Sequence, residues 1–161
     1  MVNLIFPVRA HAGLDPRPGS FSGLMDLYER NYMLLRRLLP AMLPADARQV
    51  SQAAGALDLH LHVSERFRYT SELSLTYRFE HGDGQVLLEP DLHVRIYHDA
   101  RLAEVMVARL RHAPPYRLGA AEEASELYAR CRANRFLYKW LCYCTRQGHG
   151  FASASGASHN S

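Results

Sequence analysis

The residues best suited to chemistry are Tyr97-His98-Asp99, with Glu104 five positions later. An aspartate can orient an imidazole and raise its basicity, so this combination could support general acid–base catalysis. Adjacent residues of a strand point to opposite faces, however, and aspartate is common in hairpin turns. The segment therefore favours a structural turn, and catalysis by Tyr97, His98 and Glu104 in a pocket is the enzymatic alternative.

Histidines form a second candidate site. His60 and His62 lie two positions apart, which on a strand places both imidazoles on one face, about 6 to 7 Å apart. A metal could bridge them if His93 or Glu72 joined across a sheet. Two ligands alone do not make a closed zinc site. The sequence therefore predicts solvated histidines, no metal and no cofactor.

The composition limits the class of protein. The chain has 161 residues, 48% of them hydrophobic, which is typical of one globular domain with its own core. No apolar run approaches the roughly 18 residues that could span a bilayer, so no membrane association is expected. Cys131, Cys142 and Cys144 are an odd number in one segment, which predicts reduced thiols and a cytoplasmic location. On a helix, Cys144 would be a core thiol.

The basic residues are almost all arginines, since only Lys139 is a lysine. Arginine suits bidentate contacts to carboxylate or phosphate. The net charge is only +3, well below the excess typical of a nucleic-acid binder. One predicted helix nevertheless carries a basic face that could contact phosphates, with Tyr143 among its cations. This basic helix face consists of Arg132, Arg135, Lys139 and Arg146.

Apolar residues at helical spacing predict a helix near each end of the folded region. Over residues 22–39 they form a broad core-facing stripe. Ser22 is the predicted N-cap, and Pro40 follows the last residue. The second helix ends near Gln147, with Gly148 as its C-cap. Its predicted core face contains Ala133, Phe136, Leu137, Trp140, Leu141 and Cys144.

Four segments between the helices alternate apolar and polar residues, as strands with one buried face do. They are residues 57–63, 69–79, 92–97 and 102–109. Strands grouped together favour an antiparallel sheet over alternating βαβ units. The sequence therefore predicts an α+β fold with a four-stranded antiparallel sheet between an N-terminal and a C-terminal helix. Both helices are expected on one sheet face, which leaves the other face polar.

The predicted domain occupies residues 21–147. Residues 1–20 contain three prolines and no sustained periodicity, so they are expected to form a flexible arm. Residues 148–161 are mostly small and polar, and such a composition cannot bury enough apolar surface to fold. The sequence therefore predicts a disordered tail over these residues.

Motifs on the helices and strands carry a family resemblance. They are Asn31-Tyr32-Met33-Leu34-Leu35-Arg36-Arg37-Leu38-Leu39-Pro40, Arg68-Tyr69-Thr70, Val94-Arg95-Ile96-Tyr97-His98-Asp99-Ala100, Ala103-Glu104-Val105, and Asn134, Phe136-Leu137, Trp140-Leu141 and Cys144. With these residues the chain resembles the YqiB family of uncharacterised proteobacterial proteins over about residues 24–148. The resemblance implies no established activity, substrate or cofactor.

The polar sheet face is the predicted recognition surface, because it offers planar hydrogen-bonding groups without a nucleophile or metal cage. The sequence therefore predicts a non-enzymatic binding or adaptor domain for an unknown protein or anionic ligand. An RNA-binding module that uses this face or the basic helix face is the alternative, and a small enzyme is the third. The candidate binding residues are Arg68, Arg95, Tyr97, His98, Asp99 and Glu104.

Overall fold

The computed structural model describes residues 19–109, 116–117 and 123–151. Within these residues two helices enclose a run of strands that all pair antiparallel with their sequence neighbours. The chain is therefore α+β with an antiparallel sheet, as predicted. The elements are α1 Phe21–Leu38, β1 Arg48–Ser51, β2 Leu59–Arg66, β3 Thr70–Glu80, β4 Val86–Tyr97, β5 Leu102–Arg109, β6 Tyr116–Arg117 and α2 Glu123–Arg146.

The predicted number of strands is wrong. The sheet has five strands of four or more residues, and a sixth of two residues pairs with β5. The missed strand, β1, has the sequence Arg-Gln-Val-Ser, which is too short and polar to show an alternating pattern. Its place in the sheet comes from pairing with β2, where Gln49 lies opposite Leu61.

The core lies against one face of the sheet. Leu61, Leu75 and Leu92 are cross-strand neighbours in β2, β3 and β4, and all three are buried. They belong to one hydrophobic cluster with Leu35 of α1 and Leu137 of α2. The alternate residues of the same strands point away from this cluster, and they form the outer face of the sheet.

The predicted cap of α1 is wrong by two residues. The Ser20 side chain, rather than Ser22, accepts a hydrogen bond from the Gly23 N–H at 3.0 Å. The helix then packs on α2 through a buried pair, in which Asn31 Nδ2 donates to the Asn134 carbonyl at 3.2 Å. Asn134 Oδ1 in turn accepts the Val105 N–H at 3.0 Å. At this point of β5 the Asn134 side chain therefore accepts the backbone N–H that the carbonyl of a further strand would otherwise accept.

The predicted core face of α2 is confirmed, since Ala133, Leu137, Trp140, Leu141 and Cys144 are buried and Phe136 packs against the same cluster. Gly148 follows the helix with a φ of +88°, the left-handed conformation expected of a glycine after the C-cap. Burial raises the pKa of the Cys144 thiol to about 12, which fits a core thiol.

The predicted start of the disordered tail at residue 148 does not hold for residues 148–151. Phe151 is buried in the core, and its N–H donates to the Leu38 carbonyl at 2.8 Å. His149 is also buried, with Nε2 3.1 Å from the Tyr77 hydroxyl and Nδ1 3.1 Å from Ser51 Oγ. The small, polar composition of this segment therefore gave no sign that the rings of His149 and Phe151 pack against the domain. Residues 152–161, and residues 1–18 of the predicted arm, lie outside the described residues.

No helix within the described residues is long and apolar enough to cross a membrane.

Candidate functional site

The outer face carries a row of charged residues across three strands. Register places Glu72 of β3 opposite Arg95 of β4, and Arg95 opposite Glu104 of β5. Arg95 donates to one oxygen of Glu72 from Nε at 2.8 Å and from Nη2 at 2.5 Å. These hydrogen bonds, above all, raise the pKa of the Arg95 guanidinium. Arg95 is therefore held in an intramolecular ion pair.

The second glutamate of the row, Glu104, is held at the β5 edge by groups from β4 and α2. Its Oε1 accepts the Tyr97 hydroxyl at 2.6 Å, and its Oε2 lies 3.8 Å from Arg130 Nη1 of α2. Burial, followed by the Glu104 charge, raises the pKa of Tyr28 on α1. Arg130 also donates to Glu126 one turn earlier in α2, at 3.1 Å from Nε. These contacts tie the sheet edge to α1 and α2.

These ion-paired residues, called the outer-face network, contain enough carboxylates to balance their arginines. Three glutamates (Glu72, Glu104 and Glu126) face two arginines (Arg95 and Arg130), so the network has a small negative excess at neutral pH. Each guanidinium already has a carboxylate partner, so an added anion would compete with that carboxylate. The arrangement is suited to holding the β4–β5 edge to the helices rather than to binding an anionic ligand.

The predicted enzymatic trio does not assemble. Tyr97 and Glu104 meet, but His98 lies on the core side, with Nε2 2.8 Å from Ser71 Oγ. Burial and the charges of Arg66 and Arg36 lower the pKa of His98, while Asp99 opposes them. His98 is therefore a neutral imidazole whose hydrogen bond fixes the β4–β5 turn.

The hydroxyl and imidazole of Ser71 and His98 lie at the distance of a nucleophile and its base. Ser71 has no exposed surface, however, and stands inside β3 opposite Ile96. A substrate carbonyl would need room beside its Oγ. The pair is therefore suited to structure, because the hydroxyl satisfies a half-buried imidazole.

A different group of basic and aromatic residues gathers where two turns meet. The β2–β3 turn and the β4–β5 turn lie side by side, since the His98 N–H donates to the Tyr69 carbonyl at 2.8 Å and Thr70 pairs with Tyr97. Arg66 and Arg36 act on His98 from β2 and α1. This hairpin-end surface is made of Arg36, Arg66, Phe67, Arg68, Tyr69, His98, Asp99 and Arg101.

The arginines of the hairpin-end surface are uncompensated within the described residues, where none of the four forms an ion pair. Arg66 donates only to a backbone oxygen, that of Leu43 at 3.1 Å. Asp99 is the one acidic residue of the two turns. Anionic groups are therefore attracted here rather than repelled.

Two aromatic side chains stand out from this surface. Phe67 is 61% exposed and Tyr69 52% exposed, in a turn where each follows an arginine. The Arg68 guanidinium lies over the Tyr69 ring, with Cζ 5.0 Å from the centroid, a cation–π arrangement. The turn thus presents planar apolar faces beside positive charge.

The other turn holds an arginine in a costly backbone conformation. Arg101 has a φ of +56°, the left-handed region in which glycine or asparagine is usual. Its side chain is exposed, so packing does not explain why an arginine stands there. A left-handed residue is common in short hairpin loops, and here it places an arginine at the end of the turn.

The outer-face histidines do not form a metal site. His62, Ser74 and His93 form one cross-strand row, and each histidine has an aspartate nearby: His62 has Asp46 at 4.0 Å and His93 has Asp91 at 3.4 Å. In the described part of the chain, no three histidine, cysteine or acidic side chains converge as metal ligands do.

The basic helix face forms as a continuous stripe. Arg132, Arg135, Lys139 and Arg146 are all exposed along α2, and Arg132 Cζ lies 6.0 Å from the ring centroid of Tyr128. Residues 127–161 contain no aspartate or glutamate. This second basic surface comes from one helix alone, whereas the hairpin-end surface includes residues of two adjoining turns.

Of the predicted binding residues, Arg68, His98 and Asp99 belong to the hairpin-end surface, and Arg95, Tyr97 and Glu104 belong to the outer-face network. Sequence reasoning missed Arg66 and Phe67, because both lie between the predicted strands 57–63 and 69–79, whereas β2 continues to Arg66. The available signal was the alternation Arg-Phe-Arg-Tyr over residues 66–69, in which each aromatic ring follows an arginine. Arg36 could not be found this way, because it comes from α1.

Comparison with known proteins places the chain in a family. A family model described as "Protein of unknown function (DUF1249)" matches residues 34–150, and the chain belongs to this family. It is similar to the "Uncharacterized protein YqiB" of Escherichia coli strain K12 and of Escherichia coli O157:H7. Each is 31% identical over 132 residues, which cover 80% of this chain and 90% of the relative. These findings confirm the predicted YqiB-like family. No solved structure matches the chain significantly.

Proposed function

We propose that this protein is a cytoplasmic, non-enzymatic binding domain whose recognition surface for an anionic partner is the hairpin-end surface. The observation that carries the proposal is the junction of two turns that places Arg66, Arg68 and Arg101 at one end of the sheet, none of them ion-paired within the described residues. Guanidinium groups free of carboxylate partners can engage phosphate or carboxylate bidentately.

The fold supports this placement. Both helices are proposed to cover one face of the sheet, because α1, α2 and the inward side chains of the strands share one hydrophobic cluster. The opposite face then carries the Glu72–Arg95 ion pair, and Glu104 at the β5 edge connects this face to Arg130 of α2. Arg95 and Arg130 are already paired with carboxylates, which favours the end of the sheet over its middle as the binding surface. The three free cysteines fit a reducing compartment.

The proposal is tested with a short-chain inorganic polyphosphate as the probe and isothermal titration calorimetry as the measurement. Arg66→Ala/Arg68→Ala should weaken polyphosphate binding at least tenfold, because each lost contact also removes counterion release. Arg132→Ala/Arg135→Ala removes the same charge from the basic helix face and should change Kd less than threefold. Equal losses in the two double variants, or a larger loss in the second, would overturn the proposal.

A further inference from the structure

The hairpin-end surface has more than charge, and its aromatic rings indicate which anion it takes. A site for phosphate or carboxylate alone gains nothing from exposed rings. Phe67 and Tyr69 are nevertheless 61% and 52% exposed. Large apolar side chains exposed beside uncompensated cations mark a contact surface.

The order of these groups along the turn suits a ligand chain whose repeating unit contains a planar ring and an anion. Over residues 66–69 the order is cation, ring, cation, ring. The Arg68 guanidinium already lies over one ring face, 5.0 Å from the Tyr69 centroid. A nucleotide offers the same pair of groups, a base that stacks on aromatic side chains and a phosphate that contacts arginine.

We infer that the hairpin-end surface binds single-stranded nucleic acid, with unpaired bases stacked on Phe67 and Tyr69 and the adjoining phosphates on Arg66, Arg68 and Arg101. This inference rests on the proposed function and specifies its ligand. A single strand fits better than a duplex, because a duplex keeps its bases stacked within the helix and offers only its backbone to a flat turn surface. No hydrogen-bond donor or acceptor set for reading bases is assigned, so sequence tolerance is expected.

The β4–β5 turn, beside the aromatic turn, contributes a further positive charge to the site. Arg101 follows His98 and Asp99 in the β4–β5 turn, which the backbone hydrogen bond from His98 to Tyr69 holds beside the aromatic turn. Arg101 has a φ of +56°, a backbone conformation that glycine would adopt with less strain. The site thus has arginines on two adjacent turns, with both rings on one of them.

The test measures fluorescence anisotropy of the full chain with labelled oligouridylate and oligothymidylate of about eight nucleotides, a typical single-strand site size. Phe67→Leu/Tyr69→Leu keeps apolar side chains but removes the ring faces. It should weaken binding of both oligonucleotides at least tenfold and leave the Kd for polyphosphate within twofold. Phe79→Leu, at an exposed ring of β3 outside this surface, is the matched control and should bind as wild type. Circular dichroism and the melting temperature verify that each variant is folded.

Salt dependence provides an independent readout. The logarithm of the binding constant should fall with the logarithm of salt concentration by about 0.7 per phosphate contacted. Arg66→Ala/Arg68→Ala should therefore reduce the slope by about 1.4, whereas Phe67→Leu/Tyr69→Leu should leave it unchanged. Loss of slope in the aromatic variant would contradict the division of roles between rings and arginines.

The outcomes separate this inference from the proposed function. Binding of polyphosphate but of neither oligonucleotide would overturn the nucleic-acid inference and leave the proposed function standing. Equal affinity for duplex and single strand, or wild-type affinity in the aromatic variant, would do the same. Binding of phosphatidylglycerol vesicles that depends on Phe67 and Tyr69, without oligonucleotide binding, would replace the nucleic acid by a lipid surface. Failure of both probes would overturn both.

Discussion

At the scale of single residues, Arg95 and Tyr97 each donate a hydrogen bond to a glutamate of a neighbouring strand. Arg95 and Tyr97 lie on the outer face, as alternation with Val94 and Ile96 requires. Their pairing with Glu72 and Glu104 depends on strand register, which is set by the assembled sheet and its bulges. A charged residue on a polar face can therefore be an ion-pair partner or a ligand contact, and only the register distinguishes the two.

The Arg95 ion pair should contribute to stability and little to binding. Arg95→Ala leaves the Glu72 carboxylate without its two donors, and should lower the free energy of unfolding by about 1 kcal/mol. Solvent screening keeps the effect small, since the two side chains are 36% and 32% exposed. Urea denaturation of both single variants and of Arg95→Ala/Glu72→Ala measures the coupling. Unchanged stability with lost polyphosphate affinity would show that Arg95 is a ligand contact.

Arg101 should show the opposite balance. Arg101→Gly removes a side chain at a left-handed position, so stability should stay constant or rise by up to about 1 kcal/mol, because relief of strain exceeds the added entropy of glycine. Affinity for polyphosphate should fall severalfold, because one cation is lost from the hairpin-end surface. Thermal denaturation and calorimetry on one preparation provide both numbers. A marked loss of stability would indicate that the arginine serves the fold.

At the scale of elements, the sequence located the helices and strands whose apolar residues repeat regularly, and it missed the strands without such a repeat. The helices and β2, β3, β4 and β5 were located because their apolar residues repeat with the period of the element. β1 has four residues, and the first half of β4, Val86–Asp91, contains Pro90 and two acids. These segments are strands because neighbouring strands pair with them, a long-range effect that local patterns do not encode.

The C-terminal segment Gln147–Phe151 illustrates the same limit. Its composition predicts disorder, yet Phe151 occupies the core and His149 bridges β1 and β3. Phe151→Ala should therefore lower the free energy of unfolding by about 3 to 5 kcal/mol, as for other buried aromatic residues. Phe67→Ala, at an exposed ring, is the control and should cost less than about 0.5 kcal/mol. Equal melting temperatures for Phe151→Ala and wild type would show that the segment does not dock.

The His149 contact should make stability depend on pH. Burial lowers the pKa of His149 in the folded state, although Ser51 and Asp58 oppose this, so the unfolded chain binds a proton first as the pH falls. Stability is then complete above about pH 6.5, the ordinary histidine pKa, and is lost as the pH falls below it. His98 acts in the same direction.

Two variants separate the histidine contributions. His149→Gln should be less stable than wild type at pH 8 and should lose less stability between pH 7 and pH 5. His98→Gln should also flatten the profile, through the β4–β5 turn. Chemical denaturation at each pH provides the curves. A profile for His149→Gln that runs parallel to that of wild type would refute the assignment of a neutral, buried imidazole.

At the scale of the whole molecule, the charged residues that are paired with one another and the arginines without an ion pair lie on different surfaces. The outer-face network joins the β5 edge to both helices and is internally paired. The hairpin-end surface lies where two turns meet, and its arginines form no ion pair within the described residues. Composition could not reveal this division, because a net charge of +3 is a sum over both groups.

The most direct test of the account maps polyphosphate binding onto the chain by nuclear magnetic resonance. Titration of the ¹⁵N-labelled protein should shift the backbone amides of residues 66–69 and 98–101, while those of α2 from Arg132 to Arg146 move little. The Nε–H signal of Arg95 should keep its position, because Glu72 already accepts from it. Shifts confined to α2, or centred on Arg95 and Glu104, would contradict the hairpin-end surface as the site of recognition.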